Sequence, residues 1–145
     1  MRLEGETLSQ GVAEGELMLL EQSLSFWGGM DLATGRITDQ RHPQCGSSVS
    51  GRILAMGVGR GSSSSTSVLA ESIRIGSAPA GLVLAQRDII IAMGAIVADL
   101  LYARRCPVIQ ITPESFASLL PPARLRVIAG PSRASLEILS QEGDP

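Results

Sequence analysis

A run of glycine and serine residues from Gly59 to Thr66 carries the side chains best suited to chemistry in this 145-residue chain. The run reads Gly-Arg-Gly-Ser-Ser-Ser-Ser-Thr and lies between an apolar stretch and a segment with helical periodicity. Glycine permits a tight turn, and the unpaired N–H groups at the start of the helix then face the loop. Such a position favours an anion, either the carboxylate or phosphate of a ligand or the alkoxide of a serine acting as a base.

Two structural interpretations compete with a catalytic one. Serine runs after glycine often form flexible linkers, but linkers are not normally flanked by apolar periodic segments on both sides. The hydroxyls can also cap the helix, for which either Ser65 or Thr66 is sufficient, and the other serines are then unexplained. The loop does not match a phosphate motif, because Ser62 replaces a glycine of the dinucleotide fingerprint and the lysine of a P-loop is missing.

The composition excludes several classes of function. All twelve basic residues are arginines, so this chain cannot form a Schiff base through lysine. A formal charge of −2 without a basic stripe argues against a nucleic-acid partner. No apolar run reaches the ~18 residues of a membrane span and no signal peptide is recognisable, so we expect a cytoplasmic protein without membrane association. Cys45 and Cys106 have no disulfide-framework spacing and are expected to be reduced.

Short strands and helices alternate along most of the chain. Strands are predicted at Gly11–Leu20, Arg52–Val58, Gly81–Ala85, Pro107–Ile111 and Leu125–Ala129, the last of them closing the fold. Helices are predicted from the serine run to Gly76, from Ile89 to Ala103 after an Asp88 cap, and from Thr112. The pattern indicates a layered α/β fold with a partly parallel sheet, comprising one domain over residues 1–140 and a flexible tail over residues 141–145.

Few other side chains suit a self-contained active site. His42 is the only histidine, and nothing in the sequence places it beside a serine. Together with Cys45 it provides too few ligands for a closed zinc site. A polar turn residue is therefore the simpler interpretation of His42. Cys106 precedes an apolar strand and is typical of a small buried hydrophobic residue. Phe26 and Trp27 can fill a core or form the wall of a pocket, and the sequence leaves both open.

Six short motifs occur in one order between residues 10 and 111: Ser25-Phe26-Trp27-Gly28-Gly29, Asp31 with Thr34-Gly35, Arg41-His42-Pro43, Gly59-Arg60-Gly61-Ser62-Ser63, Ala78-Pro79-Ala80 and Met93-Gly94-Ala95-Ile96-Val97-Ala98. Together they resemble the small, swivelling-domain subunit of aconitase X. The resemblance implies a swivelling β/β/α domain that forms a heterodimer with a large subunit. It also implies that the iron–sulfur cluster belongs to the large subunit and that this chain binds no metal.

The resemblance also implies roles for individual residues. Ser62 corresponds to the serine that acts as the base and removes a proton next to a carboxylate. The residues expected to contact the substrate are Arg60, Gly61, Ser63, Ser25, Phe26, Trp27 and Gly28. The arginine that follows the serine pair in aconitases is replaced here by Ser64, so carboxylate binding cannot be transferred to that position, and Arg60 is a possible substitute.

The reaction implied by the resemblance is dehydration of a hydroxy acid. We expect cis-3-hydroxy-L-proline as the substrate, with 5-phosphomevalonate as the main alternative and a non-catalytic ligand- or partner-binding module as the third possibility. A subunit that completes the active site of another should also expose apolar surface around the serine run and the segment from Ser25 to Met30.

Overall fold

The computed structural model describes residues 1–57 and 64–141, without the side chain of residue 141. Within these ranges the strands are β1 (Arg2–Ser9), β2 (Gly11–Leu19), β3 (Ile53–Met56), β4 (Gly81–Leu84), β5 (Val108–Gln110), β6 (Ala123–Ala129) and β7 (Arg133–Gln141). The helical segments are α1 (Phe26–Gly29), α2 (Ser64–Ile75), α3 (Ile89–Tyr102) and α4 (Pro113–Ala117). Of these, α1 is an irregular turn, because Trp27 and Gly28 have non-helical backbone angles.

The seven strands form a closed barrel in the order β1-β5-β4-β3-β2-β6-β7. The neighbours from β2 through β3 and β4 to β5 are parallel, and the remaining pairs are antiparallel. This confirms the predicted partly parallel α/β architecture. The parallel strands share one carboxyl-terminal edge, where ligands commonly bind in such sheets.

Strands β3 and β4 are buried on both faces, and their side chains belong alternately to the two clusters of the core. In β3, Ile53 and Ala55 point into the barrel, whereas Leu54 and Met56 belong to the cluster that includes residues of α2 and α3. The same alternation continues in β4, where Val83 is internal. This period of two is the geometry of a strand packed on both sides, and it fixes which face supports the helices.

Local end signals position the helices. The Asp88 carboxylate accepts hydrogen bonds from the N–H groups of Ile90 and Ile91 at 2.9 and 3.1 Å, so the predicted cap of α3 is confirmed. The predicted end of α2 is also confirmed, because Gly76 has φ +89° and its N–H donates to the carbonyl of Ser72. The two helices pack closely at Gly94, where an added Cβ would lie 3.0 Å from the carbonyl oxygen of Thr66.

The ends of the chain correct the prediction. The strand at residues 125–129 is not the last one, because β7 follows it and pairs with both β6 and β1. The sequence pattern predicted neither β1 nor β7. In β1, half-buried side chains alternate with exposed ones, and in β7 the apolar pattern is interrupted by Ser135 and Glu137. Strand β7 also includes Gln141, so the expected tail loses its first residue, and residues 142–145 lie outside the described ranges.

Gly35 provides a test of the packing under the loops that precede β3. Its φ is +72°, and an added Cβ would lie 2.5 Å from the carbonyl oxygen of Ser77. Gly51 has nearly the same φ, +71°, but no atom lies within 4 Å of its added Cβ. We expect Gly51→Ala to lower the free energy of unfolding by about 1–2 kcal/mol through backbone strain alone. Gly35→Ala should cost roughly 1–3 kcal/mol more because of the steric clash.

Urea unfolding of the two variants beside the unsubstituted chain measures this difference. Equal losses of stability in Gly35→Ala and Gly51→Ala would contradict the close contact between Gly35 and Ser77.

Candidate active site

The chain leaves the parallel strands at Gly57, just before the serine run, at the carboxyl-terminal edge of the sheet. The carbonyl oxygen of Gly57, directly after β3, accepts hydrogen bonds from the N–H groups of Ala85 and Gln86 at 3.1 and 3.0 Å. Both donors follow β4, so two neighbouring strands jointly hold the point where the chain leaves the sheet. Because a backbone carbonyl has two lone pairs, this group is fully used.

The other end of the run is fixed by the first turn of α2. Ser65 is 2% exposed, and its Oγ accepts a hydrogen bond from the backbone N–H of Trp27 at 3.4 Å. The Oγ1 of Thr66 donates to the carbonyl oxygen of Ile90 at 3.0 Å. These bonds tie the turn to α1 and α3. They also correct the expectation that Ser65 or Thr66 caps α2, because both residues lie inside the helix and their hydroxyls bind other elements.

Four of the predicted site residues, Arg60, Gly61, Ser62 and Ser63, lie outside the described residues. Their roles as base and substrate contacts therefore stay predictions. The described residues on either side are Gly57, which follows β3, and Ser64, with which α2 begins.

The two aromatic residues of the segment from Ser25 to Gly29 lie in different environments. Phe26 is 1% exposed and belongs to the core, which corrects the expectation that its side chain contacts the substrate. Trp27 is 60% exposed. The backbone leaves the helical conformation here, with φ −83° and ψ 119° at Trp27 and φ +79° at Gly28. Ser25 stabilises this turn through an Oγ hydrogen bond to the carbonyl of Trp27 at 2.9 Å.

A surface cavity of about 530 Å³ lies beside this turn. Its walls include Gln22, Ser25, Trp27, Gly28, Asp39 and Arg41. The structure thus brings three of the predicted substrate contacts to one cavity, since Ser25, Trp27 and Gly28 all line it. Sequence reasoning assigned no role to Gln22, Asp39 or Arg41, although the Arg41-His42-Pro43 motif was a usable signal for the last of these.

His42 is a buried turn residue with both ring nitrogens engaged. It is 4% exposed, and its Nδ1 accepts a hydrogen bond from the N–H of Gln44 at 3.0 Å. The Nε2 therefore carries the proton and donates to the carbonyl oxygen of Gln22 at 2.6 Å. This arrangement agrees with the prediction of a turn residue and leaves no ring nitrogen for a metal ion or for a serine.

The described residues do not fit an iron–sulfur cluster. Residues 1–57 and 64–141 contain no group of three or more His, Cys, Asp or Glu side chains placed to hold a metal ion. Burial raises the pKa of the Cys106 thiol to about 12, so this sulfur is protonated at neutral pH. Cys45 is exposed and lies apart from it as a free thiol.

In the described part of the chain, no helix combines the length and the hydropathy that a membrane crossing requires.

The aconitase X swivel domain family matches residues 2–136, which is nearly the whole chain. The chain belongs to the aconitase X swivel domain family. It is 46% identical over 102 residues to a cis-3-hydroxy-L-proline dehydratase of Pseudomonas aeruginosa, covering 70% of this chain and 18% of that protein. It is 38% identical over 100 residues to the phosphomevalonate dehydratase small subunit of Pyrococcus furiosus, covering 69% of this chain and 75% of that subunit.

The fold comparison agrees with the family. A chain of the holo-form of Thermococcus kodakaraensis aconitase X superposes with a TM-score of 0.83 and 30% identity, covering 97% of this chain and 99% of that one. This confirms the predicted swivelling-domain fold. The chain nevertheless spans only 18% of the length of the Pseudomonas protein that it matches.

The two thiols should differ in reactivity with iodoacetamide. We expect one adduct, on Cys45, in the native swivel domain between pH 7 and 8. Cys106 should remain unmodified because its pKa of about 12 keeps the thiol protonated and its sulfur is buried. Mass spectrometry before and after denaturation in urea measures this, with a second adduct expected only in the unfolded chain. Labelling of both cysteines at similar rates in the native state would disprove the burial of Cys106.

Anaerobic reconstitution of the isolated chain with iron and sulfide tests the fit for a cluster. We expect no stoichiometric iron–sulfur absorbance, because two dissimilar cysteines and one fully engaged histidine cannot supply a ligand set. Iron analysis of the desalted protein provides the measurement. One cluster per chain would refute this expectation.

Proposed function

We propose that this chain is the small, swivelling part of an aconitase X-type hydro-lyase, which is active only with a large subunit that carries the iron–sulfur cluster. Two relatives support this division. The chain covers 18% of the Pseudomonas dehydratase but 75% of the Pyrococcus small subunit, so it is equivalent to one part of the enzyme. No ligand for the cluster is assigned to this chain.

The observation that carries the proposal is the anchored first turn of α2. Ser65 and Thr66 tie this turn to α1 and α3, and the carbonyl of Gly57, directly after β3, is held at the carboxyl-terminal edge of the sheet. The first N–H groups of an α-helix have no partner within the helix, and its N-terminus carries a partial positive charge, so this end of a helix stabilises an oxyanion. A serine hydroxyl becomes a useful base only where its alkoxide is stabilised in this way.

In the proposed mechanism, Ser62 removes the proton from the carbon next to the substrate carboxylate. The helix start holds the negative charge of the alkoxide before the transfer. The cavity lined by Ser25, Trp27 and Gly28 accepts the body of the substrate and excludes water from one side.

We assign cis-3-hydroxy-L-proline as the substrate, because the relative with 46% identity is a dehydratase of this compound. A second candidate is 5-phosphomevalonate. It is favoured by the similar length of the small subunits of phosphomevalonate dehydratases, of which the chain covers 75% in the Pyrococcus case.

Exposed apolar side chains beside the site support contact with a large subunit. Trp27 adjoins the first turn of α2, as does the start of α3, which exposes Ile89 and Met93 four residues apart on one helical face. The same face continues to exposed Leu100. Phe26 and Met30 are buried, so Trp27 supplies the exposed apolar surface that was expected over residues 25–30. The start of α3 adds further exposed apolar surface. We propose that the large subunit covers this face.

Replacing Ser62 tests the proposed base. In the assembled complex, Ser62→Ala should reduce kcat by roughly 10²–10⁴-fold, the usual contribution of a positioned acid or base. Ser67→Ala is the matched control, because Ser67 is an exposed serine on the same helix and should leave turnover unchanged. Turnover of cis-3-hydroxy-L-proline and of 5-phosphomevalonate by each complex, with circular dichroism as a check on folding, gives the measurement.

Near-normal activity of Ser62→Ala would exclude this serine as the base. A wild-type complex that turns over neither compound would favour the non-catalytic module instead. Turnover of 5-phosphomevalonate alone would replace the proposed substrate with the second candidate.

A further inference from the structure

The cavity beside α1 carries two opposite charges on its wall, Arg41 and Asp39. The Arg41 side chain is exposed, and no carboxylate among the described residues lies within ion-pair distance of its guanidinium. Asp39 is half-buried, and its Oδ1 accepts a hydrogen bond from the backbone N–H of Arg41 at 3.0 Å. The side chain of Asp39 is therefore tied to the backbone of Arg41, and both residues line the cavity without forming an ion pair among the described contacts.

The turn that presents them is rigidly attached to the barrel. His42, next to Arg41, is buried and binds Gln22 and Gln44 through its two ring nitrogens. The side chain of Gln44 donates to the carbonyl of Leu19 at 3.1 Å, at the end of β2. The histidine and the glutamine thus form a support for a charged pair that is otherwise on the surface, and a supported pair loses less conformational entropy when it binds a ligand.

The same cavity is joined to the proposed catalytic turn. The N–H groups of Thr38 and Asp39 donate to the carbonyl of Gly29 at 2.9 and 3.4 Å, which connects the charged wall to α1. On the other side of α1, the N–H of Trp27 donates to Ser65 in the first turn of α2. A small molecule in the cavity is consequently bordered by the charged pair and by Trp27, whose backbone is bonded to the first turn of α2.

We infer that Arg41 and Asp39 bind a zwitterionic amino acid, with the guanidinium on the carboxylate and the Asp39 carboxylate on the ammonium nitrogen. The inference rests on the proposed function and selects between its two substrates. A guanidinium binds a carboxylate through two parallel hydrogen bonds, which supplies the contact that is lost where Ser64 replaces an arginine. Cis-3-hydroxy-L-proline carries both charges of a zwitterion, whereas 5-phosphomevalonate carries two anionic groups and no cation, so Asp39 repels it.

Three variants of the complex test each half of the pair. Arg41→Ala should raise KM for cis-3-hydroxy-L-proline by about 10- to 100-fold, the loss expected for a charge-assisted hydrogen bond, with a much smaller change in kcat. Arg41→Lys should restore part of the loss. Asp39→Asn keeps an oxygen that can accept the N–H of Arg41, so the turn should stay intact while KM again rises about 10-fold or more.

A substrate analogue without the nitrogen separates the role of Asp39 from a structural effect. Asp39→Asn should leave the competitive inhibition constant of cis-2-hydroxycyclopentanecarboxylate unchanged or lower it, whereas Arg41→Ala should raise it. Arg87→Ala is the matched control, because Arg87 is an exposed arginine in the connection from β4 to α3, and no change in KM is expected from it. The inference would be overturned if Arg87→Ala raised KM while Arg41→Ala left KM unchanged. It would also be overturned if Asp39→Asn changed the affinity for ligands with and without nitrogen to the same extent.

A second readout keeps the inference testable if the proposed function fails. Trp27 is the only tryptophan of the chain and lines the same cavity. If the complex turns over neither substrate, the full chain can be titrated with L-proline and with cyclopentanecarboxylate while Trp27 fluorescence is recorded. This measurement tests whether Arg41 and Asp39 bind a zwitterion, independently of any turnover. A saturable response to L-proline that is lost in Asp39→Asn supports it, and the absence of such a response refutes it. Turnover of 5-phosphomevalonate but not of the amino acid also refutes it.

Discussion

The carbonyl of Gly57 is the constraint on which the site depends. Strand β3 is buried on both faces, so the chain leaves it with no freedom of register, and the two N–H groups that follow β4 hold this carbonyl in place. The chain therefore leaves the sheet from a fixed point just before the serine run. The far end of the run is held by contacts of the first helical turn with α1 and α3. A catalytic group that must approach a proton within hydrogen-bonding distance requires this kind of support at both ends.

Burial separates the side chains that support the site from those that line the cavity. His42 and Cys106 are the residue types most often assigned to catalysis or metal binding, but both are buried, and both ring nitrogens of the histidine are engaged. The groups that line the cavity include an arginine, an aspartate and an indole. In the proposed function, catalytic chemistry therefore uses serine and fixed backbone dipoles, while recognition uses charge.

Signals that act over a few residues were readable in the sequence, and contacts across long separations were not. The Asp88 cap and the end of α2 at Gly76 depend on neighbours within four residues, and both predictions were correct. The pairing of β1 with β7 joins the two ends of the chain and leaves little periodic signal in either strand. The different environments of Phe26 and Trp27 follow from contacts with a helix about 40 residues away, so adjacency in sequence could not distinguish them.

The closed barrel also limits how this domain can meet another protein. Each of the seven described strands has a neighbour on both sides, since β1 pairs with β5 and β7, so the sheet offers no open edge for an added strand. Another protein therefore finds no open sheet edge to pair with among the described strands. We expect association to use side chains on helices and loops, and such contacts can be released and remade without disturbing a single strand pairing.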